Sequence, residues 1–493
     1  LALSSINDSA GIDEALRVRA TDLTAVLACV FLSACASARA PVVALPAAYE
    51  GPTPTSSGPS AEVLDRWWAA FEDPALTGLI EQALVNSPDA RSAAASLREA
   101  RATAQSALTA FLPQGNVVGR ASRTNTEQLS GTVVNLPGFS TSGASDTRTV
   151  DFDVSWELDV FGRFLAARRA AKGDTAAARF NYEGTRASLA ANVADTYFQA
   201  RGLAIQLDDA RESARIQRSL QGVAQKKADH GLGADTDVDR VAGDLAQADA
   251  QVAGLEAELQ AARRALLVLV GRGVEPTANA PVTATVGRIP PVPATVPSEL
   301  LARRPDIREA QARMAAAVGR QNLGVLAFFP TFTLTPGLGW SDTDQPGFRS
   351  RGQSWTVGGQ VTQPILDIPR LLLELKAQNA RTEQAAIAYE KTVQTAFGEA
   401  ESSLVQLAAD RRRTALLRDG AARAERAYEA ARLRYAAGLD DLPTALSAEQ
   451  SWRTTRSQYT AAQVQALRRA VQSYKALGGG WSADIASAKT TAG

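Results

Sequence analysis

The sequence predicts a mainly α-helical fold that carries a membrane β-barrel. Three observations predict it. One unit occurs twice, each copy reading helix, strand pair, very long helix, turn, long helix. Residues 163–229 and 371–437 contain no proline and are rich in Ala, Gln, Glu and Arg. Four further segments alternate apolar and polar residues over the length of a tilted membrane-crossing strand, about 9–11 residues.

The duplication is read from paired landmarks. Pro88-Asp89 recurs as Pro305-Asp306, and Phe111-Leu112-Pro113 as Phe328-Phe329-Pro330, 217 residues later. Val154, Arg163, Gly231 and Gly271 recur as Val361, Arg370, Gly438 and Gly478, 207 residues later. The offsets differ by ten residues, so one length change between Pro113 and Val154 reconciles them. A tandem repeat of this kind makes a pseudo-symmetric object.

Composition removes several function classes. Lys+Arg 52 balances Asp+Glu 52, which gives no basic face for a nucleic acid. The chain has one His, His230, and two Cys, Cys29 and Cys35, too few for a His/Cys zinc site or a disulfide framework. No metal and no cofactor is expected. No run of about 18 apolar residues occurs, so no helix spans a bilayer.

The N-terminus reads as a secretory signal over residues 1–34. Arg17 and Arg19 precede an apolar stretch that ends Leu32-Ser33-Ala34-Cys35. That ending looks like a bacterial lipobox, with Cys35 as the acylated first mature residue. Cys29 fits less well because Leu27 stands where a small residue is preferred. Ala36 rather than Asp follows Cys35, which by resemblance to bacterial lipoproteins favours the outer membrane. Asp13 and Glu14 lie upstream, and a start near Val18 would leave a conventional signal.

Residues 35–65 form a tether, rich in Pro, Ser, Thr and Gly over 41–60. The first repeat is 66–272. Its helical region runs from Arg66-Trp67-Trp68 to about Ala110 and is ended by Pro113. A strand follows at about 116–124, then a polar loop at about 125–146. The next strand alternates Val150, Phe152, Val154, Trp156 and Leu158 with Asp151, Asp153, Ser155, Glu157 and Asp159. Period-two alternation gives one apolar and one wet, acidic face. A linker with six prolines spans 273–297, the second repeat 298–481, and a tail 482–493. In the second repeat, strands are expected at 331–340 and 354–362. The apolar faces carry Trp near their ends, as at lipid interfaces.

Each long helix, at about 1.5 Å per residue, would reach on the order of 100 Å. Leu203, Gln206, Leu207, Ala210, Ala214 and Gln217 mark a coiled-coil-like seam. Each helix turns at a glycine-containing tip, 229–237 or 436–443, and returns to Gly271 or Gly478. Four strands leave open edges, which cannot sit in lipid. The smallest membrane barrels have about eight strands, so several copies must share one barrel.

These residues carry a family resemblance. The chain resembles the TolC/OprM outer-membrane efflux ducts, in particular the NodT-type lipoproteins. The matching segments include Trp67-Trp68-x-x-Phe71-x-Asp73-Pro74-x-Leu76, Leu300 to Ile307, Phe328-Phe329-Pro330 and Tyr474 to Trp481. Trp156 to Arg163 fits the first strand-to-helix junction. The resemblance implies a homotrimer with a twelve-stranded barrel and an α-helical periplasmic tunnel. It implies a passive conduit without enzymatic activity for small molecules such as drugs or toxic compounds. Its partners would be a periplasmic adaptor and an inner-membrane transporter of the resistance-nodulation-division type. Two alternatives are a duct for type I protein secretion and a coiled-coil envelope scaffold without a pore. A paired-carboxylate hydrolase has only the neighbours Asp440-Asp441 in its favour, with no cleft around them.

The second tip, Arg434 to Leu442, resembles the family's Arg-Tyr-x-x-Gly tip. Asp440 and Asp441 are the gate candidates. Symmetry-related carboxylates on one axis would select cations; alternatively Asp440 caps the returning helix. Leu439 and Leu442 supply either an apolar constriction or tip packing. Tyr435 either bonds a neighbouring helix or packs in the core. At the first tip, His230 is either a pH sensor or a solvated loop residue. Gly231 and Gly438 supply turn conformations with φ > 0 and are candidate adaptor contacts. Asp151, Asp153 and Glu157 would line the barrel lumen, with a mild preference for cations.

Overall fold

The structure is a computed structural model that describes residues 43–50, 64–127, 143–231, 233–291, 296–345, 347–437 and 439–482. The signal segment with Cys29 and Cys35, and part of the tether, lie outside the described residues. In chain order the elements are α1 (Pro74–Asn86), α2 (Pro88–Thr109), β1 (Gln114–Thr126), β2 (Gly143–Leu158), α3 (Arg163–Asp229) and α4 (Asp235–Leu269). The second half holds α5 (Leu300–Arg303), α6 (Pro305–Leu326), β3 (Thr331–Gln345), β4 (Phe348–Thr362), α7 (Ile368–Ala436) and α8 (Leu442–Ala476).

The repeat is visible element by element. α2 and α6 are both 22 residues long and begin 217 residues apart at Pro-Asp. α4 and α8 are both 35 residues long and begin 207 apart. α3 has 67 residues and α7 has 69. Each returning helix is closed by a glycine in the left-handed region, Gly271 at φ 80° and Gly478 at φ 79°. A Cβ on Gly271 would lie 2.6 Å from the Asn86 carbonyl oxygen, and one on Gly478 2.9 Å from the Arg303 carbonyl carbon. Both demands, positive φ and close backbone approach, select glycine.

The chain divides into two compact units. Residues 101–174 and 312–387 form the sheet unit. Its strands run antiparallel in the order β1-β2-β3-β4, and β1 and β4 are free edges among the described residues. Cross-strand partners lie on one face. Leu158, Phe332 and Val361 stand in register, as do Trp156, Leu334 and Gly359, and Phe152, Leu338 and Trp355. This face is apolar and open to its surroundings. The opposite face carries Glu157, Asp153 and Asp151 beside Thr333, Gly337 and Gly339.

The strands are 13–16 residues long, longer than expected. β2 begins at Gly143, inside the stretch read as a loop, and β4 begins at Phe348 rather than near 354. The extensions are rich in Ser, Thr, Asp and Arg, so they lack the apolar alternation that marks a half-buried strand. The backbone ladder continues regardless, from Asp146↔Asp344 to Gln345↔Phe348. The remainder of the expected loop, 128–142, lies outside the described residues.

The helical unit comprises residues 43–100, 175–311 and 388–482. Its core collects the aromatic motif at the start of the first repeat. Trp67 is fully buried and stacks on Tyr474 at 5.7 Å between ring centroids, while Phe71 packs on Phe198 at 5.1 Å. Ile80, Leu266, Leu267, Leu467 and Leu477 complete it. Asp73 starts α1 by accepting from the N–H groups of Ala75 (3.0 Å) and Leu76 (3.2 Å), with Pro74 next in line.

Candidate functional site

The second tip lies between the end of α7 and the start of α8. Asp441 is the N-cap of α8; its Oδ1 accepts from the Thr444 N–H at 3.0 Å, and Pro443 fits the first turn. Asp440 is not the cap. Arg434, in the last turn of α7, forks onto it, with Nε to Oδ2 at 2.7 Å and Nη2 to Oδ1 at 2.9 Å. The Arg434 bonds hold the Asp440 carboxyl below the usual carboxylate range. Bonds from Thr444, side chain and backbone, do the same for Asp441. Both carboxylates are charged at neutral pH, but Asp440 has a counter-ion and Asp441 has none among the described residues.

Tyr435 reaches the other tip. Lys227, in the last turn of α3, sits 4.5 Å from the Tyr435 ring centroid and donates to its hydroxyl at 3.3 Å. His230 is exposed, and Gly231 has φ 67°. Leu439 is 70% exposed in this single chain. Leu442 is the first residue of α8. Gly438 lies outside the described residues. Sequence alone does not mark Arg434 and Lys227 as partners of Asp440 and Tyr435. Their one signal was position: cations in the last turn of a helix, where the helix dipole favours them.

In the sheet unit, Asp151, Asp153 and Glu157 share the polar face. Two of them meet arginines: Arg120 lies 3.6 Å from Asp151, and Arg163 donates to Glu157 at 3.1 Å. Arg163 also donates to the carbonyls of Leu326 (3.0 Å) and Phe329 (3.1 Å). Asp159 caps α3 by accepting from the N–H groups of Arg163 (2.7 Å) and Phe164 (3.0 Å). The Trp156–Arg163 motif is therefore a strand-to-helix joint, in which one cation ties the end of β2 to the end of α6.

A buried polar seam crosses the helical unit near the tips. Gln217 on α3 meets Glu449 on α8, and beside them Arg453 donates to Ser213 Oγ at 2.5 Å. Burial pushes the Glu449 carboxyl up, with Asp244 adding and Arg453 opposing. A second cluster surrounds Arg201, which is buried and bonds Asp73, Tyr197 and Thr285. Burial pushes the Tyr197 phenol up to about 12, with Asp73 adding and Arg201 opposing. Among the described residues no group of His, Cys, Asp or Glu could hold a metal ion, and no helix is long and apolar enough to cross a membrane.

A sheet with one apolar face, in a chain with two long helical hairpins, defines the class as a membrane channel protein. The chain belongs to the outer membrane efflux protein family, which matches residues 79–272 and 296–479, one segment in each repeat. The pyoverdine export outer membrane protein OpmQ of Pseudomonas aeruginosa is 30% identical over 94% of this chain and 98% of its own length. The toluene efflux pump outer membrane protein TtgC of Pseudomonas putida is 28% identical over 88% of this chain and 89% of its own. The Campylobacter jejuni CmeC outer membrane channel shares the fold, with a TM-score of 0.80 at 22% identity, covering 92% of this chain and 97% of that one. The outer-membrane channel OprN superposes with a TM-score of 0.74 at 26% identity, covering 88% and 99%. The protein is an outer-membrane efflux duct, and its family is one of channels, not of enzymes.

Proposed function

We propose that three copies share one twelve-stranded barrel and form the passive exit duct of a tripartite pump. The observation that carries this is the open sheet. Both edge strands, β1 and β4, are unpaired among the described residues, and one face is apolar. Unpaired backbone groups cannot face lipid, so the edges must be met by other copies. Three sheets of four strands exceed the smallest closed barrel of about eight.

In this reading the duct receives cargo from an inner-membrane transporter of the resistance-nodulation-division type through a periplasmic adaptor. The relatives' names point to small molecules, pyoverdine in one and toluene in another. The exposed tip residues His230, Gly231 and Leu439 are the adaptor-facing candidates, together with Gly438. The gate is assigned to the second tip. Asp441, with no counter-ion among the described residues, supplies the acidic ring; Asp440 is restrained by Arg434, and Tyr435 links α7 to Lys227. Leu439 and Leu442 are the candidates for an apolar constriction, the Leu442 side chain lying outside the described residues. Asp151, Asp153 and Glu157 line the lumen, with Arg120 moderating their charge. Acylated Cys35 anchors the N-terminus to the outer membrane.

Photo-crosslinking from position 230 or 439 in living cells tests the docking. The expected result is a tip-specific adduct with a periplasmic adaptor. Adducts only between copies of this chain would remove the adaptor from the reading. Mass spectrometry of the mature chain checks the anchor, which requires a lipid-sized mass increment that Cys35→Ser abolishes.

A further inference from the structure

The apolar face of the sheet changes character at one level across all four strands. Gly119, Val150, Trp340 and Gln353 stand side by side in register. The next residues on the same face are Ala121, Arg148, Asp342 and Arg351, and the next are Arg123, Asp146, Asp344 and Arg349. Each level is two residues, roughly 7 Å, further along the strands. Trp340 and Trp355 lie just before the change, where an aromatic belt would meet the membrane–water interface. This is the end of the sheet at which β3 turns into β4; β2 and β4 run on to their helices at the opposite end.

The two charged levels hold four arginines, Arg123, Arg148, Arg349 and Arg351, against three aspartates, Asp146, Asp342 and Asp344. The balance is one positive charge per copy. Asp342 is only 6% exposed and holds two guanidinium groups at once. Arg349 donates Nη2 to Oδ2 at 3.1 Å and Nε to Oδ1 at 3.3 Å; Arg351 donates Nε to Oδ1 at 3.3 Å. Arg123 lies 3.6 Å from Asp146. Arg148 has no ion-pair partner among the described residues.

Arginine on a lipid-facing strand is costly in the hydrocarbon and becomes tolerable only toward the interface. These levels therefore belong at the headgroups. Arginine presents five donors in a planar fork that matches phosphate. Asp342 occupies two donors of Arg349 and one of Arg351, so both forks are held in place with donors to spare. Side chains already fixed lose less entropy on binding.

We propose that this outward arginine band binds the phosphorylated headgroups of outer-leaflet lipids, with Arg148 and Arg351 as direct phosphate ligands and Asp342 as the residue that positions Arg349 and Arg351. The proposal rests on the barrel reading of the sheet.

The test uses the full chain extracted in mild detergent. Lipid A retention is read by native mass spectrometry, and apparent affinity by the thermal midpoint on titration with lipid A. Dephosphorylated lipid A and inorganic phosphate are titrated in parallel, and all titrations are repeated in EDTA. Arg148→Gln and Arg351→Gln each leave Asp342 its Arg349 counter-ion, so the sheet keeps that pair; Arg120→Gln, on the opposite face, is the control. The expected result is phosphate-dependent binding that weakens about tenfold in each of the first two variants, the loss of roughly one charge-assisted contact, and is unchanged in the control. Equal binding by the Arg351 variant or by the dephosphorylated lipid would overturn the site. Saturation by inorganic phosphate alone would make it a free-anion site and overturn the lipid assignment. Loss of binding in EDTA would make a divalent cation, not the arginines, the partner of the phosphate and overturn the direct contact. Conductance of the same preparation separates the two readings: a conducting protein that ignores lipid A sinks only the lipid site, while a non-conducting one sinks the barrel.

Discussion

Gln217 on α3 donates a hydrogen bond of 2.9 Å to Glu449 on α8, and each side chain is only 1% exposed. The Gln217 amide oxygen and the second Glu449 oxygen, Oε1 in both, have no hydrogen-bond partner among the described residues. Buried acceptors left without a donor are costly. A proton on Glu449 would remove the buried charge, the form that burial disfavours. Around the pair stand Arg453 on α8, Asp244 on α4 and Tyr428 on α7; Arg453 Nε lies 3.6 Å from Glu449 Oε1.

This pair makes stability depend on pH. Glu449 is an acid whose folded-state pKa is raised above its ordinary 4.5. Above 4.5 the folded state therefore binds more protons than the unfolded one. By linkage, its contribution falls as pH rises from 4.5 through the folded value, and is constant beyond it. Glu449→Gln keeps the amide bond and removes the charge. It should raise the thermal midpoint at pH 8 by roughly 2–4 °C for each kcal/mol recovered, and leave it unchanged at pH 4. A variant that melts lower at pH 8 would contradict a cost of burying the Glu449 charge.

Arg201 should be far less replaceable than the exposed arginines of the tunnel helices. It clamps Asp73, Tyr197 and Thr285, and both it and Asp73 are largely buried. Arg201→Ala leaves the carboxylate without its cation, at a cost of about 3–5 kcal/mol. Arg211→Ala removes only an exposed pair with Glu256 and should cost under about 1 kcal/mol. Denaturant midpoints of the two variants decide the ranking.

At the second tip the two aspartates should separate by function. Arg434→Ala and Asp440→Ala each break the same fork, so both should raise baseline conductance, and the double variant should do no more than either alone. Asp441→Ala removes a cap and a carboxylate with no counter-ion among the described residues, so it should lower cation selectivity. Single-channel recordings measure both properties. Additive effects of Arg434 and Asp440 would show that the fork is not the restraint.

Gly271 and Gly478 should resist even alanine. Positive φ costs a non-glycine residue about 1–2 kcal/mol, and the new Cβ would lie within 3 Å of backbone at either site. Gly243, in the interior of α4, has nothing within 4 Å of its notional Cβ, and Gly243→Ala should instead stabilise by about 1 kcal/mol. Thermal midpoints of the three variants give the comparison.

The repeat, the long helices and the strand faces were legible because they are periodic. Pro88 and Pro305, or Gly271 and Gly478, announce themselves by spacing, and β2 by alternation from Val150 to Leu158. The strand extensions were not legible: Arg148, Asp342 and Arg351 break the apolar alternation while the ladder continues. Nor were the long-range polar pairs. Gln217 and Glu449 lie 232 positions apart, and nothing local marks either as buried. The two repeats also differ here, since Tyr197 and Arg201 of one correspond to Leu404 and Ala408 of the other. The tip was half legible: the acidic pair stood out, but only the geometry shows that Asp441 holds the cap and Asp440 the arginine.

Single-channel conductance of the detergent-extracted protein in a planar bilayer, with mass photometry on the same sample, decides whether the barrel is shared among copies. A shared barrel gives a trimer with small, cation-selective steps. A monomer without conductance would rule it out.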